Sequence, residues 1–538
     1  MRAQVATYLS TSGIRHLCLV TAWIGPSLLV DALRAQEFAS PYPDPGAPSA
    51  DAAAGQPQPI ATLRIQPASF PDFLDPGEPS INSGGRIDER LDALDPGEPG
   101  MGGDNEDLEE RLKAIEERLA KEQKSDEKEA AAKKKSSSDP KPTLKWAGRI
   151  HTDYWAFPHT SPGANAFENG DPNESVQDRF LFRRIRLGVS GDIADNMIYR
   201  FDIDFNNPES PQIKDAFIGW EELPILQTLL IGNQKRPYGL DHINSSNVNF
   251  FMERPDVVEA FNQDSRRYGI QSWAFSDDLR YNWRYGVFMS QDLQNVGSVL
   301  TTPVNEDYQA EVAGRFASTW FYDECSDGRS YGHWAIAGAV VSPDGDDPVN
   351  NTARFRSRPE ARTSARWIDT RPIAGAETYE LLGLEGVINL GPFQAVGEYQ
   401  QVWVQRDGGN PDVSFNGAYG YLSYFLTGEH IPWDRETGQL GRVKPFENFF
   451  LVRTCDGDCA AGWGAFEACV RYSYCNLSDE DIRGGRVNDI TVGCNWYWNE
   501  YAHMQFNYIH GEIDNHFPVA GLTEANYDVV GTRLIMFF

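Results

Sequence analysis

The sequence predicts an all-β protein whose main domain, residues 144–538, is a transmembrane antiparallel β-barrel of about 16 strands. Segments of about ten residues alternate between polar and apolar positions, and turn-like stretches such as SPDGDDPVNN separate them. The last segment, GTRLIMFF, keeps this alternation up to the final residue. A span of roughly 395 residues holds about 16 such strands with their loops. A secreted sandwich or a solenoid is the alternative fold.

The two faces of the predicted strands differ in the manner of a membrane barrel. In MIYRFDIDF, Arg200, Asp202 and Asp204 share one face, and the intervening residues are aromatic or aliphatic. A soluble sheet would hide an aromatic face in its core, whereas a barrel turns that face to lipid and its charged face to a water-filled lumen. We expect the interfacial girdle to include Trp496, Tyr497, Trp498 and Tyr501.

The final strand has the pattern that closes an outer-membrane barrel. Leu534, Met536 and Phe538 share one face, which we expect to contact outer-membrane lipid. An alternating last strand with a terminal Phe resembles the signal that the barrel-assembly machinery reads. We therefore predict that these three residues form the assembly signal, with lipid and that machinery as partners.

Composition excludes two other classes of protein. The formal charge of −30 and the pI of about 4.7 argue against nucleic acid as a partner. The mean hydropathy of −0.49, without an internal apolar run of about 20 residues, excludes a bundle of membrane helices.

The first 143 residues are predicted to lie outside the barrel. Residues 1–36 contain the apolar run LCLVTAWIGPSLLV and indicate a signal peptide, with a buried N-terminal helix as the alternative. Residues 37–106 are rich in Pro, Gly, Asp and Ala, which predicts a disordered spacer, because such a segment buries too little apolar surface to offset its conformational entropy.

A short coiled-coil helix is predicted for residues 107–130. Leu108, Leu112, Ile115 and Leu119 are spaced four, three and four apart, as in a coiled-coil seam. Fewer than two heptads are too few to associate alone, so a solvated single helix is the alternative. A linker follows at 131–143, and we place this whole N-terminal segment in the periplasm.

Six cysteines follow the predicted signal peptide, and an even number in an exported protein favours disulfides. Cys455 and Cys459, within TCDGDC, could close a small loop. No His lies near them, which argues against a metal cluster. The sequence has no GxSxG and no HExxH motif, so we expect neither a catalytic centre nor a cofactor.

Several stretches resemble the phosphate-selective porin O and P family. They are FRRIRLGVSGDI (182–193), IGNQKRPYGL (231–240), SSNVNFFMERP (245–255), YFLTGEHIPWD (424–434), GRVKPFENF (441–449) and GGRVNDITVGCNWYWNEYAHMQFNYIH (484–510). The resemblance covers about 144–538 with its motifs in order. It implies a 16-stranded outer-membrane barrel that is usually a homotrimer and passes anions, with a constriction formed by the segment that Lys235 and Arg236 open and Arg254 closes.

Arginine suits an anion path, because it stays charged and presents a fork of donors to phosphate oxygens. We predict that the pore-lining, anion-binding residues are Arg184, Arg186, Lys235, Arg254, Arg149, Arg200 and Arg236. Alternation places Arg183 on the opposite, lipid face with Ile185 and Leu187. The alternative for each lumen arginine is an ion pair with a nearby carboxylate, because residues 144–538 hold 54 acidic against 32 basic residues.

The predicted function is therefore an outer-membrane porin for passive diffusion of small hydrophilic solutes. A preference for anions such as phosphate is a hypothesis, since the lumen field is mixed. The first alternative is an envelope tether whose N-terminal helix binds peptidoglycan or a periplasmic partner. The second is an outer-membrane hydrolase.

Overall fold

The computed structural model describes residues 141–207, 209–262, 266–290, 309–343, 351, 353–453 and 459–538, without the side chains of 451–453 and 459. The predicted signal peptide, spacer and coiled-coil helix lie outside the described residues, as does the linker up to residue 140. The predicted disulfide lies outside them too, because only the backbone of Cys459 is described.

Sixteen strands form a closed antiparallel barrel, as the sequence predicts. In barrel order they are β1 (Lys145–Thr160), β2 (Arg179–Asp192), β3 (Met197–Asp204), β4 (Gln212–Leu223), β5 (Gln227–Lys235), β6 (Arg266–Phe275), β7 (Tyr281–Met289), β8 (Ala310–Tyr322), β9 (Ser330–Val341), β12 (Ala376–Leu390), β13 (Phe393–Arg406), β14 (Val413–Phe425), β19 (Ala465–Asp479), β20 (Ile482–Asn499), β21 (Ala502–His516) and β22 (Ala525–Phe537).

The remaining elements lie in loops. Three two-stranded hairpins pair β10 (Arg356–Ser357) with β11 (Ile368–Asp369), β15 (Trp433–Asp434) with β16 (Gln439–Leu440), and β17 (Phe450–Arg453) with β18 (Cys459–Gly462). The helices are α1 (Pro162–Asn169), α2 (Leu240–Ile243), α3 (Asp256–Phe261) and a 3₁₀ turn (Glu324–Ser326). Within the described ranges, helices of the length and apolarity needed to cross a membrane do not occur.

The barrel closes where β1 pairs with β22. Gly148 and Phe538 exchange two backbone hydrogen bonds of 3.1 Å, so the last residue of the chain belongs to the sheet. The Phe538 ring lies over Gly148, where a Cβ atom would come within 2.3 Å of it. Leu534, Met536 and Phe538 are all exposed on the outer surface, the face that alternation predicts for them.

Outward faces are aromatic and inward faces polar along much of the barrel. On β7, Tyr281, Tyr285 and Val287 are exposed, whereas Asn282 is buried inside. The predicted position of one girdle residue is wrong. Tyr497 points into the lumen, where its hydroxyl donates to Glu467 Oε2 at 2.9 Å, because it occupies an inward position of β20.

Three long connections fold into the lumen in the described part of the chain. The β5–β6 loop (236–265) and the β9–β12 loop (342–375) enter from the end opposite the barrel termini, because successive barrel strands run in opposite directions. The β14–β19 loop (426–464) enters from the terminal end, and its Trp433 Nε1 donates to Thr319 Oγ1 at 2.9 Å. The two directions meet where Leu440 N donates to Asn244 Oδ1 at 3.1 Å.

The β5–β6 and β9–β12 loops pack an apolar core against one side of the barrel. Phe251 lies 5.8 Å from Tyr421 on β14, and Trp367 lies 5.0 Å from Tyr527 on β22, between ring centroids. We call this region, bounded by β12–β14 and β19–β22, the packed half. The expectation that the inner face of every strand encloses water is therefore wrong here, because aromatic side chains from the loops need an apolar wall to pack on.

A bulge in β2 corrects the predicted position of Arg183. His151 pairs with Arg184 but Thr152 pairs with Phe182, so β2 carries one extra residue at Arg183. A bulge breaks the alternation of the strand. Arg183 consequently points inward rather than to lipid, and donates to both oxygens of Glu253 at 2.7 and 2.9 Å.

Four described cysteines, Cys325, Cys469, Cys475 and Cys494, are free, so the expectation of disulfides is wrong for them. Cys469 and Cys475 lie six residues apart on β19, a separation of about 20 Å in a strand. Cys469 pairs with Gly493 rather than with Cys494, which therefore faces the opposite side of the sheet.

Candidate functional site

A cavity of about 600 Å³ lies between the inner wall of β1–β7 and the inward loops. We call this region the open half of the barrel. Each strand from β1 to β7 contributes at least one basic side chain to the cavity lining. The basic lining residues among those described are Arg149, Arg183, Arg184, Arg186, Arg200, Lys214, Lys235, Arg254, Arg266, Arg284, Arg358, Arg362 and Arg366.

The charge balance of this lining is the reverse of that of the chain. In the described lining, thirteen Arg and Lys residues face four carboxylates, those of Asp204, Asp215, Glu253 and Glu259. Neighbouring strands lie about 5 Å apart, so basic residues at inward positions come close together. Arg149 and Arg186 are directly opposed in the β1–β2 register, an arrangement of like charges that is unfavourable unless an anion or a carboxylate compensates it.

Several of the basic residues are held by carboxylates. Arg266 donates to both oxygens of Asp215 at 2.8 and 2.7 Å, and Arg186 donates to Asp204 at 2.8 Å. Arg200 pairs with Asp202 at 2.8 Å. Such pairs position the guanidinium groups but cancel part of their charge.

Five lining cations have no carboxylate within ion-pair distance in the described part of the chain. They are Arg149, Arg184, Lys235, Arg284 and Arg362. Arg149 donates to Ser246 Oγ at 3.1 Å, and Arg184 Nη1 lies 3.2 Å from His151 Nδ1. Lys235 Nζ donates to the carbonyls of Ile243 and Asn244 at 2.9 and 2.7 Å. These neutral partners fix the side chains and leave their charge uncancelled.

The excess of positive charge extends to the β9–β12 loop. The neighbouring Arg183 guanidinium, together with burial, lowers the pKa of Arg362 to about 9. A guanidinium loses basicity in this way when like charges crowd it and no anion compensates them.

Comparison with known proteins identifies the barrel. Residues 148–538 match the family described as phosphate-selective porin O and P. The chain belongs to this family. This porin is therefore an outer-membrane channel protein rather than an enzyme.

Among the proteins similar to this porin are two relatives and one solved structure. An uncharacterized protein of Caulobacter vibrioides is 26% identical over 361 residues, which are 64% of this chain and 66% of that protein. Porin O of Pseudomonas aeruginosa is 23% identical over 420 residues, 70% of this chain and 85% of that protein. The anion-selective porin from Comamonas acidovorans aligns with a TM-score of 0.42 and 13% identity over 74% of this chain and 99% of that chain.

The structure brings together six of the seven residues that the sequence nominates in this porin. Arg149, Arg184, Arg186, Arg200, Lys235 and Arg254 all line the cavity. Arg236 is not among the lining residues. Its guanidinium is buried against the wall, donates to Glu311 Oε2 at 2.9 Å and lies 4.9 Å from the Tyr238 ring.

Arg254 lines the cavity and also braces the β5–β6 loop. Its Nε donates to the Asp241 carbonyl at 3.0 Å, and its Nη2 donates to the Asn244 carbonyl at 3.2 Å. It pairs with the Asp241 carboxylate at 2.8 Å as well. Arg254, which ends the predicted constriction segment, is thus tied to residues near the start of the same loop.

Arg183, Lys214 and Arg284 are among the lining cations of this porin that sequence reasoning did not nominate. Arg284 lies on the polar face of β7, so strand alternation could have found it. Lys214 lies on β4, and its only sequence signal is its position in a polar start of the strand. Arg183 carried no such signal, because the bulge that turns it inward depends on pairing with β1.

Proposed function

We propose that this porin provides a passive path for small hydrophilic solutes with a preference for small anions, phosphate among them. The observation that supports the proposal most is the lining of the cavity in the open half. There thirteen described basic residues face four carboxylates, although residues 144–538 as a whole are acidic. A field of one sign along a confined path concentrates the opposite ion and excludes like ions.

Five cations without carboxylate partners are the candidate contacts of a passing anion. Arg149, Arg184 and Arg362 present the forked donors of a guanidinium group. Lys235 and Arg284 donate to backbone carbonyls and keep further N–H groups for a passing anion. Phosphate accepts several hydrogen bonds at once, so it should dwell longer on this set than chloride does.

The proposal is tested in a planar lipid bilayer with the purified porin. Under a KCl gradient we expect a reversal potential of the sign that selective chloride passage produces. Phosphate added at constant chloride should then lower the chloride current. The same addition of buffer without phosphate should leave the chloride current unchanged. A reversal potential of the cation-selective sign would contradict the anion preference, while conductance without selectivity would leave a general diffusion porin.

We further propose that the porin is a homotrimer in the outer membrane, with the N-terminal segment in the periplasm. The family resemblance and the heptad spacing of Leu108, Leu112, Ile115 and Leu119 support this. Native mass measurement of the full chain and of a chain lacking 37–143 tests it. Loss of trimers on deletion would assign assembly to this segment, whereas intact trimers with a weakened envelope would favour the tether.

A further inference from the structure

Three buried carboxylates converge behind the cavity from three separate parts of the chain. Asp256 belongs to α3 in the β5–β6 loop, Glu360 to the β9–β12 loop and Asp489 to the wall strand β20. Their exposed fractions are 1%, 2% and 1%. One oxygen of each lies within 4.8 Å of one oxygen of the other two.

One oxygen of each carboxylate is held by a donor from outside the group. Ser357 Oγ donates to Asp256 Oδ1 at 2.7 Å, and the Tyr527 hydroxyl donates to Asp489 Oδ1 at 2.6 Å. Glu360 Oε2 accepts from Thr491 Oγ1 at 2.8 Å and from the Arg471 guanidinium. The three side chains are therefore fixed in orientation.

While all three carboxylates are ionised, the second oxygen of each accepts no hydrogen bond from the described residues. These atoms are Asp256 Oδ2, Glu360 Oε1 and Asp489 Oδ2, and all three are buried. A buried carboxylate oxygen without a partner costs more than an unpaired neutral group. Three of them in one group point to a ligand that satisfies them together.

The charge of the group distinguishes between a shared proton and a metal ion. The carboxylates sum to −3 when ionised, and Arg471 is the cation that contacts them in the described structure. Asp256 and Asp489 lie close enough to share a proton, but a proton would leave one negative charge uncompensated. A divalent cation would leave none.

We propose that Asp256, Glu360 and Asp489 bind one hard divalent cation, Ca²⁺ or Mg²⁺. The donors are all carboxylate oxygens, the ligands that these ions prefer over softer metals. Oxygens bound to one ion at about 2.1–2.5 Å lie at most about 5 Å apart, and the observed limit of 4.8 Å agrees. The ion would tie both inward loops to β20.

The site has a consequence for the cavity that is independent of anion preference. Glu259 of α3 lines the cavity three residues after Asp256, and Arg358 and Arg362 line it on either side of Glu360. An ion that anchors Asp256 and Glu360 therefore fixes the loop segments that border the path. Its removal should loosen them and broaden the distribution of single-channel conductance.

Calcium titration of the full-length porin tests the proposal. The protein is refolded in detergent without lipopolysaccharide, stripped with EDTA at pH 7.5, and titrated with Ca²⁺ by calorimetry. We expect one ion per chain and, in the bilayer, a conductance distribution that narrows when Ca²⁺ is restored. A titration without saturable one-to-one binding would overturn the proposal.

Matched variants locate the ion. Asp489→Asn should weaken Ca²⁺ binding at least about tenfold, and Glu360→Gln should do the same. Glu467→Gln is the control, because Glu467 is a buried lumen carboxylate whose oxygens accept from Ser423, Asn495 and Tyr497. Unchanged binding in both site variants would place the ion elsewhere and contradict the proposal.

Terbium luminescence gives a second measurement on the unmutated chain. Because the Tyr527 hydroxyl contacts Asp489, Tb³⁺ bound at this site should show emission on tyrosine excitation, and Ca²⁺ should abolish it. If the group instead shares a proton, stability in EDTA should fall as the pH rises while neither ion binds. That result would overturn the cation proposal.

Discussion

The two halves of the barrel interior are built from the same antiparallel strands but hold different contents. In the open half, inward positions of β2 carry Arg184 and Arg186, which face a cavity. In the packed half, inward positions of β14 carry Phe415, Tyr419 and Tyr421, which are buried under the loops. The barrel wall thus presents charged side chains to the cavity in the open half, whereas in the packed half it also presents buried aromatic side chains on which the loops rest.

This difference explains how long loops can hold a fixed position inside the barrel. The β5–β6 and β9–β12 loops bury an aromatic core on the packed half, as a soluble domain does. Their polar side chains are then free to face the open half. We expect mutations in the packed half to change stability first, and mutations in the open half to change ion selectivity first.

The largest expected effect comes from removing the charge at Arg533 in the packed half. Its guanidinium is 1% exposed, binds Asp153 and Glu253 at 2.6 Å each, and contacts the Met252 carbonyl. Arg533→Met leaves two buried carboxylates without this partner, so the free energy of unfolding should fall by about 3–5 kcal/mol. Denaturant unfolding in detergent measures this.

Arg486→Met is the control for Arg533→Met. Arg486 pairs with Asp514 at 2.8 Å, but both side chains are well exposed, so its loss should cost below about 1 kcal/mol. Equal effects of the two variants would contradict the distinction between buried and exposed ion pairs in this barrel.

The next effect tests whether the packed half is a true apolar core. Ile509 on β21 is fully buried inside, and Ile490 on the adjacent β20 is 49% exposed outside. Ile509→Ala should lower the free energy of unfolding by about 2–5 kcal/mol, because it leaves a cavity. Ile490→Ala should cost clearly less, since lipid or detergent fills the space. Similar losses in the same unfolding assay would show that the interior is loosely packed.

A smaller effect is expected for Lys235→Gln in the open half. Lys235 faces the cavity, and one unit charge at about 4 Å in water is worth about 1 kcal/mol, which corresponds to about a fivefold change in local anion preference. The anion-to-cation permeability ratio, obtained from reversal potentials, should fall by up to about that factor. Lys444→Gln should leave the ratio unchanged, because Lys444 is exposed and does not line the cavity.

The smallest expected effect is the different response of the two halves to the salt concentration. Raising KCl from about 0.1 to 1 M shortens the screening length from about 10 to about 3 Å, so anion preference in the open half should weaken. Unfolding of the barrel should change little, because the packed half is held by apolar contacts and buried ion pairs. A salt-independent permeability ratio would contradict an electrostatic origin of selectivity.

Much of the site could be predicted from the sequence. The predictions that were wrong failed for physical reasons. Arg149, Arg184 and Arg186 lie on inward positions, and period-two alternation with the family resemblance found them. Arg236 has the same local signals, yet its guanidinium is turned to Glu311, 75 residues away along the chain. The local pattern does not show which of two neighbouring basic residues will contact a distant carboxylate.

The sequence by itself determined the barrel, a strand number of about 16, the outer position of Phe538 and several of the inward basic residues on β1, β2, β3 and β5. Alternation is a local property, and lipid on one face with polar contacts on the other imposes it strand by strand. Only the tertiary structure decided the inward turn of Arg183, the division of the lumen and the meeting of Asp256, Glu360 and Asp489. Each of these depends on register or on loop packing between residues far apart in the chain, for which a period along one strand carries no information.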